Sequence, residues 1–101
     1  MKIDVGNKTI TSVDFSNNET AWKIEDTPFV LDYFRKENKI ILGGDILTKD
    51  LIHNYDSWYY NYDHGQSEKC NVEFAYEKAI EYISKYVQLN GKDFYVIIVT
   101  K

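Results

Sequence analysis

The clearest hydrophobic pattern in the chain is a stripe that repeats every three or four positions between residues 70 and 89. Its apolar members are Val72, Ala75, Tyr76, Ala79, Ile80, Ile83 and Val87. Charged side chains fill the positions between them, so the stripe predicts an amphipathic helix from about Cys70 to Leu89. Asn90 and Gly91 follow directly and predict its end, because glycine adopts the backbone conformation that terminates helices.

A second, shorter helix is predicted from about Pro28 to Glu37. Thr27 is a natural N-cap, and proline suits the first turn, where its missing N–H costs nothing. Upstream, weak alternation of apolar and polar positions over the first fifteen residues predicts one or two short strands. The polar segment "SNNET", residues 16–20, is predicted to end that pattern.

Three further segments are predicted to be strands. "KIILGGDIL", residues 39–47, is rich in β-branched side chains, and its Gly-Gly pair predicts a bulge or a close backbone approach. After the connection "TKDLIHN", the strand "SWYYNY" covers residues 57–62. "DFYVIIVT", residues 93–100, is apolar on both faces, which predicts a central position in the sheet. This order of elements predicts an α+β fold in which two helices pack against a mostly antiparallel sheet.

The size and composition fit one domain that spans residues 1–101. The single cysteine, Cys70, has no partner for an internal disulfide, which fits a reducing compartment. The first ten residues lack the apolar run of a signal peptide, and no stretch is long and apolar enough to span a bilayer. We therefore expect a cytoplasmic protein that does not associate with membranes.

The net charge of −4 is unevenly distributed along the chain. The window from Asp50 to Glu68 contains four acidic residues and no lysine or arginine, so it carries the whole formal excess. An acidic surface repels phosphate backbones, so direct binding of nucleic acid is not expected. A basic protein partner would instead be attracted and steered toward such a surface.

No sequence motif predicts a catalytic, cofactor or metal site, and an enzyme is not expected. His53 and His64 lie near several aspartates, but their spacing is not typical of a metal site and favours solvated loop residues. The "GGD" of Gly43, Gly44 and Asp45 is superficially similar to the signature of diguanylate cyclases, which require an acidic residue where Ile46 stands. We interpret it as a structural motif in which the Asp45 carboxylate accepts hydrogen bonds from groups around the bulge.

The aromatic stretch "NYDSWYYNYD", residues 54–63, is the main candidate for a binding surface. Strand alternation sends Trp58, Tyr60 and Tyr62 to one face and Tyr59 to the other, so that one set packs on a helix and the other is available. Tyrosine and tryptophan dominate interface hot spots, although a strand that merely covers a helix would also be aromatic. The predicted partner-binding residues, of which the exposed members form the patch, are Asp50, Tyr55, Asp56, Trp58, Tyr59, Tyr60, Tyr62 and Asp63.

The segment "IILGGDIL", followed after eight residues by "DSWYYN", resembles the bacterial immunity protein 40 family of polymorphic toxin systems. The positions that carry the resemblance are Gly43, Gly44, Asp45, Trp58 and Tyr59. The resemblance implies a cytoplasmic, non-catalytic antidote that binds and blocks a cognate toxin domain, and a basic nuclease is one toxin class that fits the acidic surface. We expect a monomer or weak homodimer. The alternative is a small structural or regulatory module that homo-oligomerises through its aromatic strand.

Overall fold

The computed structural model describes residues 1–15 and 19–101. Seven strands and two α-helices occur in these ranges. The strands are β1 (Lys2–Val5), β2 (Lys8–Thr11), β3 (Val13–Phe15), β4 (Glu19–Lys23), β5 (Ile41–Thr48), β6 (His53–Tyr59) and β7 (Phe94–Thr100). The helices are α1 (Thr27–Lys36) and α2 (Glu68–Asn90).

Strands β3 to β7 form a five-stranded sheet in the order β3-β4-β7-β5-β6, and every neighbouring pair is antiparallel. The central place predicted for the last strand is confirmed, because β7 lies between β4 and β5. Strands β1 and β2 form a separate antiparallel hairpin whose Ile3 and Ile10 side chains are buried in the core. The predicted α+β class is confirmed.

One hydrophobic core joins the helices to a single face of the large sheet. The apolar stripe of α2 supplies Val72, Ala79 and Ile83 to this core, as its periodicity predicted. Val96 of β7 is fully buried in the same cluster, whereas Val99, three residues further on, is 46% exposed on the opposite face. The second face of the sheet therefore carries apolar side chains without a covering layer in the described structure.

Both helix starts depend on hydroxyl groups, but only one acts as a cap. Ser67 precedes α2, and its oxygen accepts a hydrogen bond from the Cys70 backbone N–H at 3.1 Å. Thr27, predicted to cap α1, is instead its first helical residue, and its hydroxyl donates to the Ile24 carbonyl at 2.6 Å. A short 3-10 turn before α1 supplies this acceptor, so the hydroxyl is already used and the N-cap prediction is wrong.

The boundaries of two strands differ from the sequence predictions. Strand β4 was not predicted, and β6 spans His53–Tyr59 instead of residues 57–62. The β5–β6 turn is tight because the Thr48 hydroxyl accepts hydrogen bonds from the backbone N–H groups of Asp50 and Ile52. His53 and Asn54, which were predicted to lie in the connection, therefore belong to β6. The break predicted at residues 16–20 is wrong for Glu19 and Thr20, which begin β4, and its residues 16–18 lie outside the described residues.

Candidate functional site

The first part of the aromatic stretch lies on β6, an edge strand of the sheet that, among the described residues, pairs only with β5. Tyr59 pairs with Gly43, and Trp58 pairs with Gly44. At the Gly-Gly pair, where a bulge or a close backbone approach was predicted, β5 shifts register relative to β7 between Ile41 and Gly43, and the Trp58 backbone lies close to Gly43. The two sequence motifs that carry the family resemblance are therefore direct neighbours in one hairpin.

The Gly-Gly pair is required by the packing of Trp58. A β-carbon on Gly44 would overlap both the Trp58 ring and the carbonyl oxygen of Ile97. A β-carbon on Gly43, whose φ is 154°, would overlap the Trp58 carbonyl oxygen. Trp58 itself is 6% exposed and stacks on Tyr82 of α2, with ring centroids 5.2 Å apart. This burial corrects the expectation that Trp58 contacts a partner, since α2 covers its ring.

Tyr60 and Tyr62 point to the same side as Trp58, as alternation predicted, and both pack against the core. The Tyr60 hydroxyl donates to the Asn71 side-chain oxygen at 2.6 Å. Burial raises the pKa of Tyr60, with a smaller contribution from the nearby Asp63 charge. The Tyr62 ring lies 4.5 Å from the Lys101 ammonium group. These half-buried rings fix the chain after β6 and leave only part of their surface available.

Tyr55 projects from a bulge in β6. Between the pairs Asp45–Ser57 and Leu47–His53, β5 advances by two residues while β6 advances by four. Tyr55 lies in this extra segment with a φ of 60°, and its side chain is 97% exposed. A positive φ is uncommon for a bulky residue and strains the backbone. The most exposed large hydrophobic side chain among the described residues therefore stands on a strained backbone position.

The two neighbours of Tyr55 are tied to the helix layer by one hydroxyl group. Tyr86 of α2 donates a hydrogen bond to Asp56 Oδ2 at 2.7 Å, and its oxygen accepts one from Asn54 Nδ2, also at 2.7 Å. Burial, together with the hydrogen bond to Asp56, raises the pKa of Tyr86 to about 12. The hydroxyl therefore stays protonated, and able to donate, at neutral pH.

The other exposed members of the predicted patch lie around this bulge and at the end of the hairpin. Tyr59 is 67% exposed and lines a shallow depression of about 280 Å³ together with Asp45 and Val99. Asp50 lies in the β5–β6 turn, and Asp63, after β6, accepts a hydrogen bond from the Gly65 N–H at 2.9 Å. Within residues 1–15 and 19–101, no salt bridge neutralises Asp50, Asp56 or Asp63.

Asp45 does not behave as the sequence suggested. Its side chain is half-buried in the depression, and within the part of the chain that the structure describes it takes part in no hydrogen bond. The Asp45 carboxylate therefore does not accept the hydrogen bonds that were predicted from groups around the bulge. Asp45 faces the open side of the sheet because its strand partners are Ser57 and Ile97.

Sequence reasoning missed Tyr86 and Asn54. Tyr86 lies three residues after Ile83 and seven after Ala79, so it continues the buried side of α2. A tyrosine at such a position needs a partner for its hydroxyl, and that signal pointed to a polar contact beneath the sheet edge. Nothing local to Asn54 indicates its role, because its partner lies 32 residues away.

Neither histidine of the chain enters a metal-like arrangement. His53 and His64 are exposed, and His64 packs on the Tyr62 ring at 4.8 Å. Over the described ranges, no group of three or more His, Cys, Asp or Glu side chains is placed to hold a metal ion. None of the helices described is both long and apolar enough to cross a membrane.

Comparison with known proteins yields one finding about the family. The model of the family described as Immunity protein 40 matches residues 9–100, nearly the whole chain. The match confirms the resemblance inferred from the two motifs of the β5–β6 hairpin. The chain matches no curated protein and no solved structure.

Proposed function

Because the chain belongs to the Immunity protein 40 family, we propose that it binds a cognate toxin domain and neutralises it by occupying its surface. The observation that carries this proposal is the exposed tyrosine bulge on the edge hairpin. Tyr55 and Tyr59 are 97% and 67% exposed there. Tyrosines of this kind provide large, rigid contact area, and hot spots at interfaces are enriched in them.

We propose that inhibition is stoichiometric and involves no catalysis. The candidate surface offers aromatic anchors and carboxylates, which suit a binding role. A protein that acts in this way needs a long-lived complex. Such a complex depends on a few desolvated anchors rather than on total contact area.

The acidic residues near the bulge are proposed to select and attract the partner. Asp50, Asp56 and Asp63 lie in the window that lacks lysine and arginine, and the ion pairs of the described chain do not involve them. Unpaired carboxylates raise the rate of association with a basic partner and disfavour acidic ones. A toxin with a basic active site fits this surface, and a nuclease is one such class. We propose that the encounter takes place in the cytoplasm.

The competing hypothesis is self-association through the aromatic strand. Strand β6 is an edge, so its outward backbone groups are available for pairing. However, the bulge at Tyr55 interrupts the regular row of these groups, and bulges of this kind are known to prevent edge pairing. We therefore propose a monomer or weak homodimer rather than a β6-mediated oligomer.

The direct test is co-expression with the toxin domain encoded by the adjacent upstream gene. We expect the two proteins to co-purify and the cells to be protected from that toxin. The absence of only one of these results would not contradict the proposal, but the absence of both would. Light scattering of the protein alone separates the competing hypothesis, which requires a stable oligomer without toxin.

Binding kinetics then test the role of the acidic residues. Asp63→Asn keeps an oxygen that can accept from the Gly65 N–H, so the fold is expected to be unchanged. We expect association with immobilised toxin to slow by about three- to tenfold at low salt, and this difference to shrink at high salt. Glu77→Gln, on the exposed face of α2, is the matched control and should change association little. Equal association rates for the two variants would exclude the proposed steering role.

A further inference from the structure

The backbone strain at Tyr55 is not offset by packing of its side chain. A bulky residue at a φ of 60° carries backbone strain, and a side chain that is 97% exposed gains almost nothing from burial in return. Glycine would adopt this φ without strain. A strained position of this kind persists only when the surrounding structure over-determines it.

The surrounding structure that fixes the bulge is centred on Tyr86. Its ring is 8% exposed and lies between Tyr82, 6.0 Å away, and Phe94, 5.2 Å away in an edge-on contact. Its hydroxyl bonds the side chains of Asn54 and Asp56, which directly precede and follow Tyr55. Asn54 Nδ2 also lies 3.4 Å from Asp56 Oδ2, which closes a triangle of polar contacts beneath the bulge. A rigid helix thus holds both ends of a three-residue segment.

We propose that Tyr86 is a positioning residue that pre-organises residues 54–56, so that Tyr55 projects as an anchor for a concave site on the toxin domain. This inference rests on the proposed function and deepens it. The partner site must be a cleft, because an isolated side chain that projects completely cannot be buried by a flat surface. Basic or other hydrogen-bond donor groups at its rim would complement the Asp56 carboxylate beside the anchor.

Pre-organisation gives this arrangement a binding advantage. A flexible bulge would lose conformational freedom when the toxin binds, whereas a bulge already held by Tyr86 has largely lost it during folding. If only one tenth of the molecules held the projecting conformation, the apparent Kd would rise about tenfold. The Tyr86 hydroxyl therefore affects affinity although its ring packs between Tyr82 and Phe94 and does not contact the toxin.

The test measures toxin-domain affinity for four variants. Tyr86→Phe removes the hydroxyl and keeps the ring, and Tyr82→Phe removes a neighbouring hydroxyl that makes no hydrogen bond within the described residues. Tyr55→Ala removes the anchor, and the double variant Tyr55→Ala/Tyr86→Phe tests whether the two residues act together. Urea unfolding of each variant establishes that the protein measured is folded.

The expected pattern is specific to positioning. Tyr55→Ala should weaken binding by about 30-fold or more, Tyr86→Phe by about tenfold, and Tyr82→Phe by less than about twofold. The double variant should bind as Tyr55→Ala does, because a positioning group has no effect once its anchor is gone. Parent-like affinity of Tyr86→Phe or of Tyr55→Ala would overturn the inference, as would fully additive losses in the double variant.

A second measurement needs no toxin and separates this inference from the proposed function. The amide and α protons of one residue approach most closely at a φ near 60°, so the nuclear Overhauser (NOE) cross-peak between these protons of Tyr55 is strong only at positive φ. It should be strong in the parent and in Tyr82→Phe, and weaker in Tyr86→Phe. An unchanged cross-peak in Tyr86→Phe would exclude the positioning role even if toxin binds. Failure of the parent to bind toxin would instead refute the proposed function, and the cross-peak would still decide whether Tyr86 holds the bulge.

Discussion

Gly43 and Tyr55 lie on opposite strands of one hairpin, and both have a positive φ, of 154° and 60°. At Gly43 the residue type agrees with the backbone, and the absence of a side chain also lets the Trp58 carbonyl approach. At Tyr55 the residue type opposes the backbone, and its side chain meets solvent. A positive φ is thus adopted without strain at Gly43 and with strain at Tyr55.

The difference separates scaffold from candidate contact. The Gly-Gly segment satisfies packing in the interior, where any added atom would overlap backbone or the Trp58 ring. The Tyr55 bulge satisfies no packing requirement, and its strain is held by hydrogen bonds from α2. Strain that gives no folding advantage is typical of functional positions. Changes to the glycines should therefore affect stability, and changes at Tyr55 should affect binding.

The largest expected effect is on the glycine side of the comparison. Gly44→Ala places a methyl group against the Ile97 carbonyl and the Trp58 ring, so the strands must separate or the ring must move. We expect a loss of about 3 kcal/mol in the free energy of unfolding, measured with urea. Gly65→Ala is the control, because its added methyl group would meet only the Asp63 carboxylate, at 3.2 Å. Similar losses for both variants would refute a specific packing role for Gly44.

A smaller effect is expected from the hydroxyl that holds the bulge. The pKa of Tyr86 is raised to about 12 in the folded protein, whereas an unfolded tyrosine has a pKa of about 10. The folded state therefore retains this proton more tightly. The contribution of the protonated Tyr86 hydroxyl to folding stability is complete below pH 10 and is lost as the pH rises to 12. Two pKa units correspond to a loss of at most about 2.7 kcal/mol in the free energy of unfolding.

Comparison of the parent with Tyr86→Phe between pH 9 and pH 12 isolates this contribution. Tyr60 and Tyr82 also have raised pKa values, but both variants retain those residues. The stability of the parent should therefore fall more steeply than that of Tyr86→Phe. Parallel stability curves would show that the hydroxyl is not held as described.

The strain at Tyr55 can be measured by comparing glycine with alanine there. Tyr55→Gly relieves the unfavourable φ, whereas Tyr55→Ala keeps it, so the glycine variant should be more stable than the alanine variant by about 1 kcal/mol. Both should lose the anchor and bind toxin weakly. An alanine variant as stable as the glycine variant would mean that the bulge adopts a different φ in solution.

Much of the fold was predictable because its determinants are local. The two apolar faces of "DFYVIIVT" predicted the central strand, and the stripe on α2 predicted its buried side. Gly91, with a φ of 90°, ends α2 as expected. These features follow from periodicities of two and 3.6 residues and from glycine chemistry, which can be read without knowing what packs against them.

The site was less predictable because its determinants are distant in the chain. Alternation predicted that Trp58 of β6 and Tyr60 directly after it lie on one side, and both pack against the core, but which side is covered depends on where α2 packs. The φ of Tyr55 depends on bonds that Tyr86 makes from 31 positions away, as the numbering shows. No pattern within the aromatic stretch contains that information.

Asp45 supplies the smallest and final test, because it belongs to the glycine motif but faces the open side of the sheet. Its carboxylate is half-buried beside Tyr59 and makes no hydrogen bond within the described residues, so its removal leaves no group unpaired there. We now expect Asp45→Ala to change the free energy of unfolding by less than about 0.5 kcal/mol. Slower association with toxin would place the depression near Tyr59 within the binding surface. A stability loss above about 1.5 kcal/mol, with unchanged binding, would instead assign Asp45 a structural role.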